Sequence, residues 1–199
     1  MLNRKQSPAK SVVIIAMSAA LYAALFFVST SAAFSNFALL YLPIVLLGVF
    51  PLWFGWNGLI GSMIGAFIGG AFAESLGPLG IFEVVVAFLI YMLNWVLMPG
   101  DAAEKGKTRS LALLICVYAL TLFVGLGYIV WQYTVLPVLF PTLEIAMMVL
   151  AGTFLINLPI VCIVCPPLNR TISPKLKAWG VYSGNFREWR KQKRNTKTE

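Results

Sequence analysis

The chain has 199 residues, 60% hydrophobic and only 11% charged, a composition that excludes a water-soluble domain of this length. It contains no histidine, which removes most metal and acid–base enzymes. All 15 basic residues fall in three short stretches, Arg4 to Lys10, Lys105 to Arg109 and Arg170 to Lys197. A charged side chain at the bilayer centre costs about 2.5 to 3.5 kcal/mol, so this sorting predicts a multi-pass membrane protein. It also makes anionic lipid a simpler partner than nucleic acid for the net charge of +8.

Six apolar tracts between polar, glycine or proline residues are candidates for membrane spans. The predicted fold class is therefore all-α, a bundle of six transmembrane helices with both termini in the cytoplasm, beside the basic residues. We expect a protein of the cell membrane with a cytoplasmic arm at 1–10, a transmembrane domain at 11–166 and a cytoplasmic tail at 167–199. The predicted spans are 11–32, 37–54, 58–74, 79–98, 109–131 and 142–165.

The first span carries Ala16, Ala20 and Ala24 at intervals of four residues, and we call these three residues the alanine strip. Another helix can approach such a face closely, either within this protein or from a partner protein. The basic residues before this span and the small residues after it resemble a signal peptide. The apolar run is longer than the usual 7 to 15 or so residues, so a retained span is the better interpretation.

The second and third spans are separated only by residues 53–58, which makes this the weakest of the predicted breaks. The third span contains Gly61, Gly65 and Gly69, here called the glycine strip, again at intervals of four. The same two expectations apply to it, internal packing or contact with a partner.

Two acids lie where the outer third of the membrane is expected, Glu83 about a turn inside the fourth span and Glu144 at the start of the sixth. An ionisable group at such depth is a functional hypothesis, here substrate binding. The alternative is a carboxylate that reaches water or stabilises a helix N-terminus. Both alternatives stay open for Glu83, and the second is favoured for Glu144.

Polar and aromatic side chains near these acids are further candidates for substrate contact. Asn157 lies about 22 Å from the outer end of the sixth span, where an interhelical hydrogen bond is favoured over substrate contact. Trp131 and Tyr133 follow the fifth span at the outer mouth. An aromatic belt at the membrane interface is favoured for them, with a site for a flat or cationic metabolite as the alternative.

The residues that could support catalysis or cofactor binding are too few. Cys116, Cys162 and Cys165 do not make a zinc site without histidine. The stretch from Gly100 to Thr108 resembles a phosphate-binding loop, but five residues rather than four separate its glycines. We therefore expect no enzyme, no metal, no cofactor and no ATPase within this chain.

The tail alternates basic residues with Trp179, Tyr182, Phe186 and Trp189. This pattern favours a segment on the cytoplasmic membrane surface, with aromatic rings in the interface and basic groups near anionic lipid headgroups. A solvated, disordered tail is the alternative, chiefly after Arg190.

The stretch LLGVFPLWFGWNGLIGSMIGAFIGGAF, followed by SLGPLGIFEVV, together with the alanine strip and the six spans, resembles the substrate-binding S-component of energy-coupling factor (ECF) vitamin transporters. The resemblance covers about Val12 to Val164. It implies a subunit that captures a micronutrient from outside, in a cavity built mostly from spans four to six and gated by the loop after span one. Two separate ATPase subunits and a transmembrane coupling protein would drive its reorientation.

By this resemblance, the alanine strip would dock on the coupling protein, and Glu83, Glu144 and Trp131 would contact substrate. The leading expectation is thus an importer subunit that binds a small vitamin-like molecule. A stand-alone permease or channel and a non-transporting membrane scaffold are the alternatives. The first would transport without ATPases, and the second would bind no ligand.

Overall fold

The computed structural model describes residues 7–31, 40–72, 80–99, 112–113, 115–121, 123–125, 127 and 143–195. Within these ranges every regular element is a helix, which confirms the all-α prediction. The described helices are α1 (Pro8–Ser31), α2 (Ile44–Phe54), α3 (Trp56–Phe72), α4 (Gly80–Leu97), α5 (Ile115–Gly125), α6 (Leu143–Ala178) and α7 (Phe186–Asn195). Of α5, residues 115–121 and 123–125 are described.

Two stretches of the described helices are long and apolar enough to cross a membrane, Pro8–Thr30 in α1 and Phe154–Ala178 in α6. Only 22% of the most apolar window of each is buried inside the molecule, so most of its side chains face outward. A water-soluble protein rarely exposes apolar surface on this scale.

Helices α1 and α3 run in the same direction, since their contacts advance together along both. Ser18 lies against Gly61, and Phe26 lies against Gly69 two turns further on. Helices α2 and α6 are parallel in the same way: residue 41 meets Asn157, and Gly48 meets Asn169.

The contacts of α4 and α5 give their directions. In α4 the Tyr91 hydroxyl donates to the carbonyl of Pro43, at the start of α2, and the Trp95 ring meets Trp56, at the start of α3. In α5 Tyr118 and Phe123 contact residues progressively earlier in α6, so these two helices are antiparallel. Helices α1, α3 and α5 therefore run one way, and α2, α4 and α6 the other.

This alternation sorts the described charges to two ends of the bundle. We call the end where α1 begins and α6 finishes the basic end, because Lys10 and the basic residues from Arg170 to Arg194 lie there. We call the opposite end the acidic end, because Glu83 and Glu144 lie in the first turns of α4 and α6.

Polarity is inverted between the inside and the outside of the described bundle. Large apolar side chains project outward from α1, α3, α4, α5 and α6, including Val13, Phe67, Leu89, Phe123 and Leu155. A group of polar side chains is buried instead: Ser18, Ser29, Ser62, Asn94, Thr121, Asn157, Asn169, Ser173 and Asn185. This is the arrangement expected when the surroundings are apolar and polar groups find partners only inside.

The weakest predicted break is confirmed. Helix α2 ends at Phe54 and α3 begins at Trp56, with Gly55 between them at φ 53° and ψ −128°. That conformation is open only to glycine at little energetic cost. The turn therefore reverses the chain in one residue.

Helix α6 continues past both the predicted span, 142–165, and the predicted domain boundary after residue 166. Pro166, Pro167 and Pro174 lie inside it without ending it. Cys165, Asn169, Ser173 and Leu176 are all buried, so packing along this face offsets the hydrogen bonds that proline cannot donate. The predicted division at residues 1–10, 11–166 and 167–199 stays a prediction.

Candidate functional site

One face of α1 packs against the glycine strip of α3. A Cβ added at Gly65 would lie 2.5 Å from the carbonyl oxygen of Ala19 and 2.6 Å from the Tyr22 Cβ. One added at Gly61 would lie 2.5 Å from the Ser18 Cβ. Backbone therefore meets backbone along this interface, and the glycine strip is used for packing inside the protein.

The alanine strip lies on the opposite face of α1. Ala16, Ala20 and Ala24 are all exposed, whereas Ala19 is buried against α3. Helical spacing sets larger exposed side chains beside the strip, among them Val13 and Met17. The small alanine side chains lie among larger exposed ones, and another helix can approach the backbone closely at the alanines.

Polar side chains converge on residues 41–43, just before α2. Asn157, fully buried, accepts a hydrogen bond through Oδ1 from the Tyr41 N–H at 2.9 Å. The Ser29 hydroxyl accepts one from the Leu42 N–H at 2.9 Å. Tyr22 and Tyr41 share a hydrogen bond of 2.7 Å between their hydroxyls. The Tyr91 hydroxyl of α4 also donates to the Pro43 carbonyl at 2.9 Å, so α1, α4 and α6 together position this segment.

These contacts bear on the two interpretations of Asn157. Its Oδ1 joins α6 to the segment before α2, so it binds helix to connecting chain rather than helix to helix, and its role in substrate contact stays a prediction. The same contact holds the chain just after residues 32–39, which connect α1 to Leu40 and lie outside the described residues. Asn157 therefore anchors the chain where the described residues resume after α1.

The two predicted acids are brought to the same end of the bundle. Glu83 is the fourth residue of α4, and its side chain lies outside the described part. Glu144 is the second residue of α6 and is exposed. A carboxylate in a first turn complements the partial positive charge of the helix N-terminus. Trp131 and Tyr133 lie outside the described residues, so the substrate-binding role of this set stays a prediction.

A feature that the sequence did not reveal lies at the basic end. Residues 181–195, which we call the strap, fold back across the ends of α2, α3 and α4. The N–H of Ser183 donates to the Trp53 carbonyl at 2.9 Å, and the N–H of Gly184 donates to the Leu52 carbonyl at 3.0 Å. These carbonyls belong to the last turn of α2, where helical partners end.

Aromatic rings hold the strap in place. Trp95, which is fully buried, donates its indole N–H to the Gly184 carbonyl at 2.8 Å. Its ring centroid lies 5.2 Å from that of Phe186 and 5.5 Å from that of Trp189. Trp56 completes the group at 6.3 Å from Trp189. We call these four residues the aromatic cluster.

Of the tail aromatics, Phe186 packs on Trp95 of α4, and Trp189 packs on Trp56 of α3 and Trp95 of α4. These rings attach the tail to the bundle, and its placement on the membrane surface stays a prediction. The chain after Arg190 is helical as far as Asn195. Two local signals could have indicated this helix. One is the pair Asn185 and Glu188, three residues apart, and the other is the apolar spacing of residues 186 and 189.

The cysteines are free thiols, exposed at Cys116, half-buried at Cys162 and buried at Cys165. The Cys165 Sγ–H donates to the Val45 carbonyl at 3.3 Å, which gives it a packing role. In the described part of the chain, no three His, Cys, Asp or Glu side chains come together as metal ligands. That the protein is not an enzyme stays a prediction.

Comparison with protein-family models, with curated proteins and with solved structures found no match to this chain. The function is therefore inferred from the two faces of α1, the two ends of the bundle and the strap.

Proposed function

We propose that the chain is a multi-pass protein of the cell membrane with six spans, α1 to α6. The inverted polarity of the described bundle supports this, because apolar side chains face outward on α1, α3, α4, α5 and α6, while α2 is buried among them. The alternating helix directions and the charges at the two ends also support it. By the positive-inside rule, the basic end faces the cytoplasm.

Within that membrane bundle, the proposed function is the substrate-binding subunit of an ECF-type importer. The observation that carries it is that α1 has two different faces. One face is buried against the glycine strip, and the other exposes the alanine strip. The exposed alanine strip gives α1 a second face that a helix of another protein can approach closely. A transmembrane coupling protein, joined to two ATPase subunits, is the proposed occupant.

The proposed substrate is a small vitamin-like molecule that binds at the acidic end. Glu83 and Glu144 would supply carboxylates there, and Trp131 and Tyr133 would supply aromatic faces. Asn157 would act indirectly, because its hydrogen bond to Tyr41 fixes the chain next to the segment that, by the resemblance, would gate the site. This site is separate from the alanine strip, so ligand capture and partner docking use different parts of the chain.

Ligand binding is tested by a thermal-shift screen of the purified chain in detergent against vitamins and related metabolites. A ligand present at 100 times its Kd stabilises the folded state by about 2.7 kcal/mol, which a shift in unfolding midpoint detects. Glu83→Gln should remove the shift. The matched control is Glu188→Gln at the basic end, which should keep it, because glutamine retains the helix-capping geometry.

The same screen separates the alternatives. A ligand that stabilises the wild-type chain and Glu83→Gln equally would remove Glu83 from the site. No response across a broad vitamin panel would favour a scaffold. Uptake of the ligand into proteoliposomes that contain this chain alone would favour a permease.

Docking of the coupling module is tested with Ala20→Leu. The larger side chain would block close approach of another helix to the alanine strip. It should therefore prevent co-purification of a membrane partner and ATPase subunits with the tagged chain. Ala71→Leu makes the same change at an exposed position of α3 and should leave co-purification intact. Equal recovery from both variants would overturn the docking role.

A further inference from the structure

The strap fixes α7 at a defined level of the bundle. Its apolar side, Phe186 and Trp189, packs on Trp56, the first residue of α3, and on Trp95, two residues before α4 ends. Helix α7 therefore lies where α3 begins and α4 finishes. If these helices span the membrane, that level is the cytoplasmic headgroup region.

The other side of α7 carries a basic stripe made of Arg187, Arg190, Lys191 and Arg194. Arg190 and Lys191 each lie three or four positions from both Arg187 and Arg194, so the four share one helical face, and all four are exposed. The aromatic cluster holds a different side of α7, which fixes the rotation of the helix about its axis. The stripe consequently has a fixed outward orientation.

The stripe has no neighbouring acid in the sequence to neutralise it apart from Glu188, the only acid between residues 170 and 195. The Glu188 carboxylate accepts the Asn185 N–H at 3.2 Å, and the Asn185 Oδ1 accepts the Glu188 N–H at 2.8 Å. This reciprocal pair is a capping box that starts the helix. Meanwhile Arg190 and Arg194, four residues apart, repel each other on the helix surface. An external anion would relieve that repulsion.

We propose that the basic stripe binds the headgroups of anionic phospholipids in the cytoplasmic leaflet. Trp179, directly after α6, supports a lipid surface over a soluble anion, because this residue is 67% exposed between α6 and the strap. Lys175 and Lys177 are exposed on the turn before it. The proposal rests on the membrane placement proposed above and is independent of transport.

The test uses the full chain in a neutral detergent, with phosphatidylglycerol or phosphatidylcholine added at equal mole fraction. Phosphatidylglycerol should raise the unfolding midpoint of the wild type, and phosphatidylcholine should not. The double variant Arg190→Gln/Arg194→Gln should lose most of that rise. Glutamine has nearly the helix propensity of arginine, so α7 stays formed. The matched control, Lys10→Gln/Arg170→Gln, removes two exposed charges outside the stripe and should keep the rise.

Four results would overturn the proposal. Equal shifts with the two lipids would show that headgroup charge is not recognised, and equal losses in the two double variants would show that any surface charge suffices. The same shift with inorganic phosphate would indicate a soluble anion. A larger shift in unfolding midpoint with a short RNA or an acidic peptide would indicate a macromolecular partner. No vitamin is present in this experiment, so its failure leaves the importer proposal intact.

Discussion

The α1–α3 interface and the strap join parts of the same bundle by opposite means. Along the glycine strip no α3 side chain separates the two backbones, so an added side-chain atom would push the helices apart. At the strap, four large rings fill the space between helix ends and hydrogen bonds to the backbone join them. Removing a ring or a hydrogen bond should therefore lower stability. The first interface should break when atoms are added, and the second when atoms are removed.

The largest effect is expected from removing the centre of the aromatic cluster. Trp95→Ala would delete a fully buried ring and its hydrogen bond to the Gly184 carbonyl, and should lower the free energy of unfolding by about 4 kcal/mol. Far-UV circular dichroism during unfolding in mixed detergent and SDS micelles measures it. Trp179→Ala, at an exposed tryptophan, should change stability by less than about 0.5 kcal/mol. A similar loss in both variants would contradict the role assigned to the cluster.

The second prediction adds an atom where the strap meets the α2–α3 turn. Gly55→Ala should destabilise by about 3 kcal/mol, because the residue has φ 53° and its new Cβ would lie 2.9 Å from the Ser183 Oγ. Gly180→Ala is the control, since Gly180 also has positive φ but has no heavy atom within 4 Å of such a Cβ. The control should lose only the conformational part, about 1 kcal/mol. Equal losses of stability in the two variants would mean that the strap does not pack tightly against this turn.

The third prediction concerns the glycine strip. Gly65→Ala should force α1 and α3 apart and lower the free energy of unfolding by about 2 kcal/mol, because its Cβ would lie 2.5 Å from the Ala19 carbonyl oxygen. Gly127→Ala makes the same change in a helical residue with nothing within 4 Å and should be neutral or slightly stabilising. Unfolding in the same micelles compares the two. Stabilisation by Gly65→Ala would show that the helices are not in contact there.

The sequence predicted the close-packing face of α3 but not the helix that covers it. Intervals of four predict a flat helical face, and only the structure shows that Gly65 meets Ala19 while Ala20 stays exposed. The break at Gly55 was readable as well, because glycine and tryptophans interrupt the apolar run. Periodicity reports a face of one helix, but not which other helix covers it.

The strap was not readable for a physical reason. The spacing of Phe186 and Trp189 is the same whether an amphipathic helix lies on lipid or on protein, so the pattern does not choose between them. The contacts that decide, such as Ser183 to Trp53, link residues far apart in the sequence through backbone atoms, which have no residue signature. Of the candidate substrate site, the sequence and helix directions place Glu83 and Glu144 at one end. The side chains of Trp131 and Tyr133 lie outside the described residues.

The smallest effect is expected at the start of α7, where one side-chain cap organises the strap. Asn185→Ala would leave the Glu188 N–H without its acceptor and should destabilise by about 1 kcal/mol, the usual value of an N-cap. Asn185→Ser should restore most of it, since serine also caps helices, and the same micelle titration compares both. Because α7 presents the basic stripe, Asn185→Ala should also reduce the midpoint rise with phosphatidylglycerol, and Asn185→Ser should keep it. A lipid response that survives in Asn185→Ala while stability falls would separate lipid binding from the order of the strap.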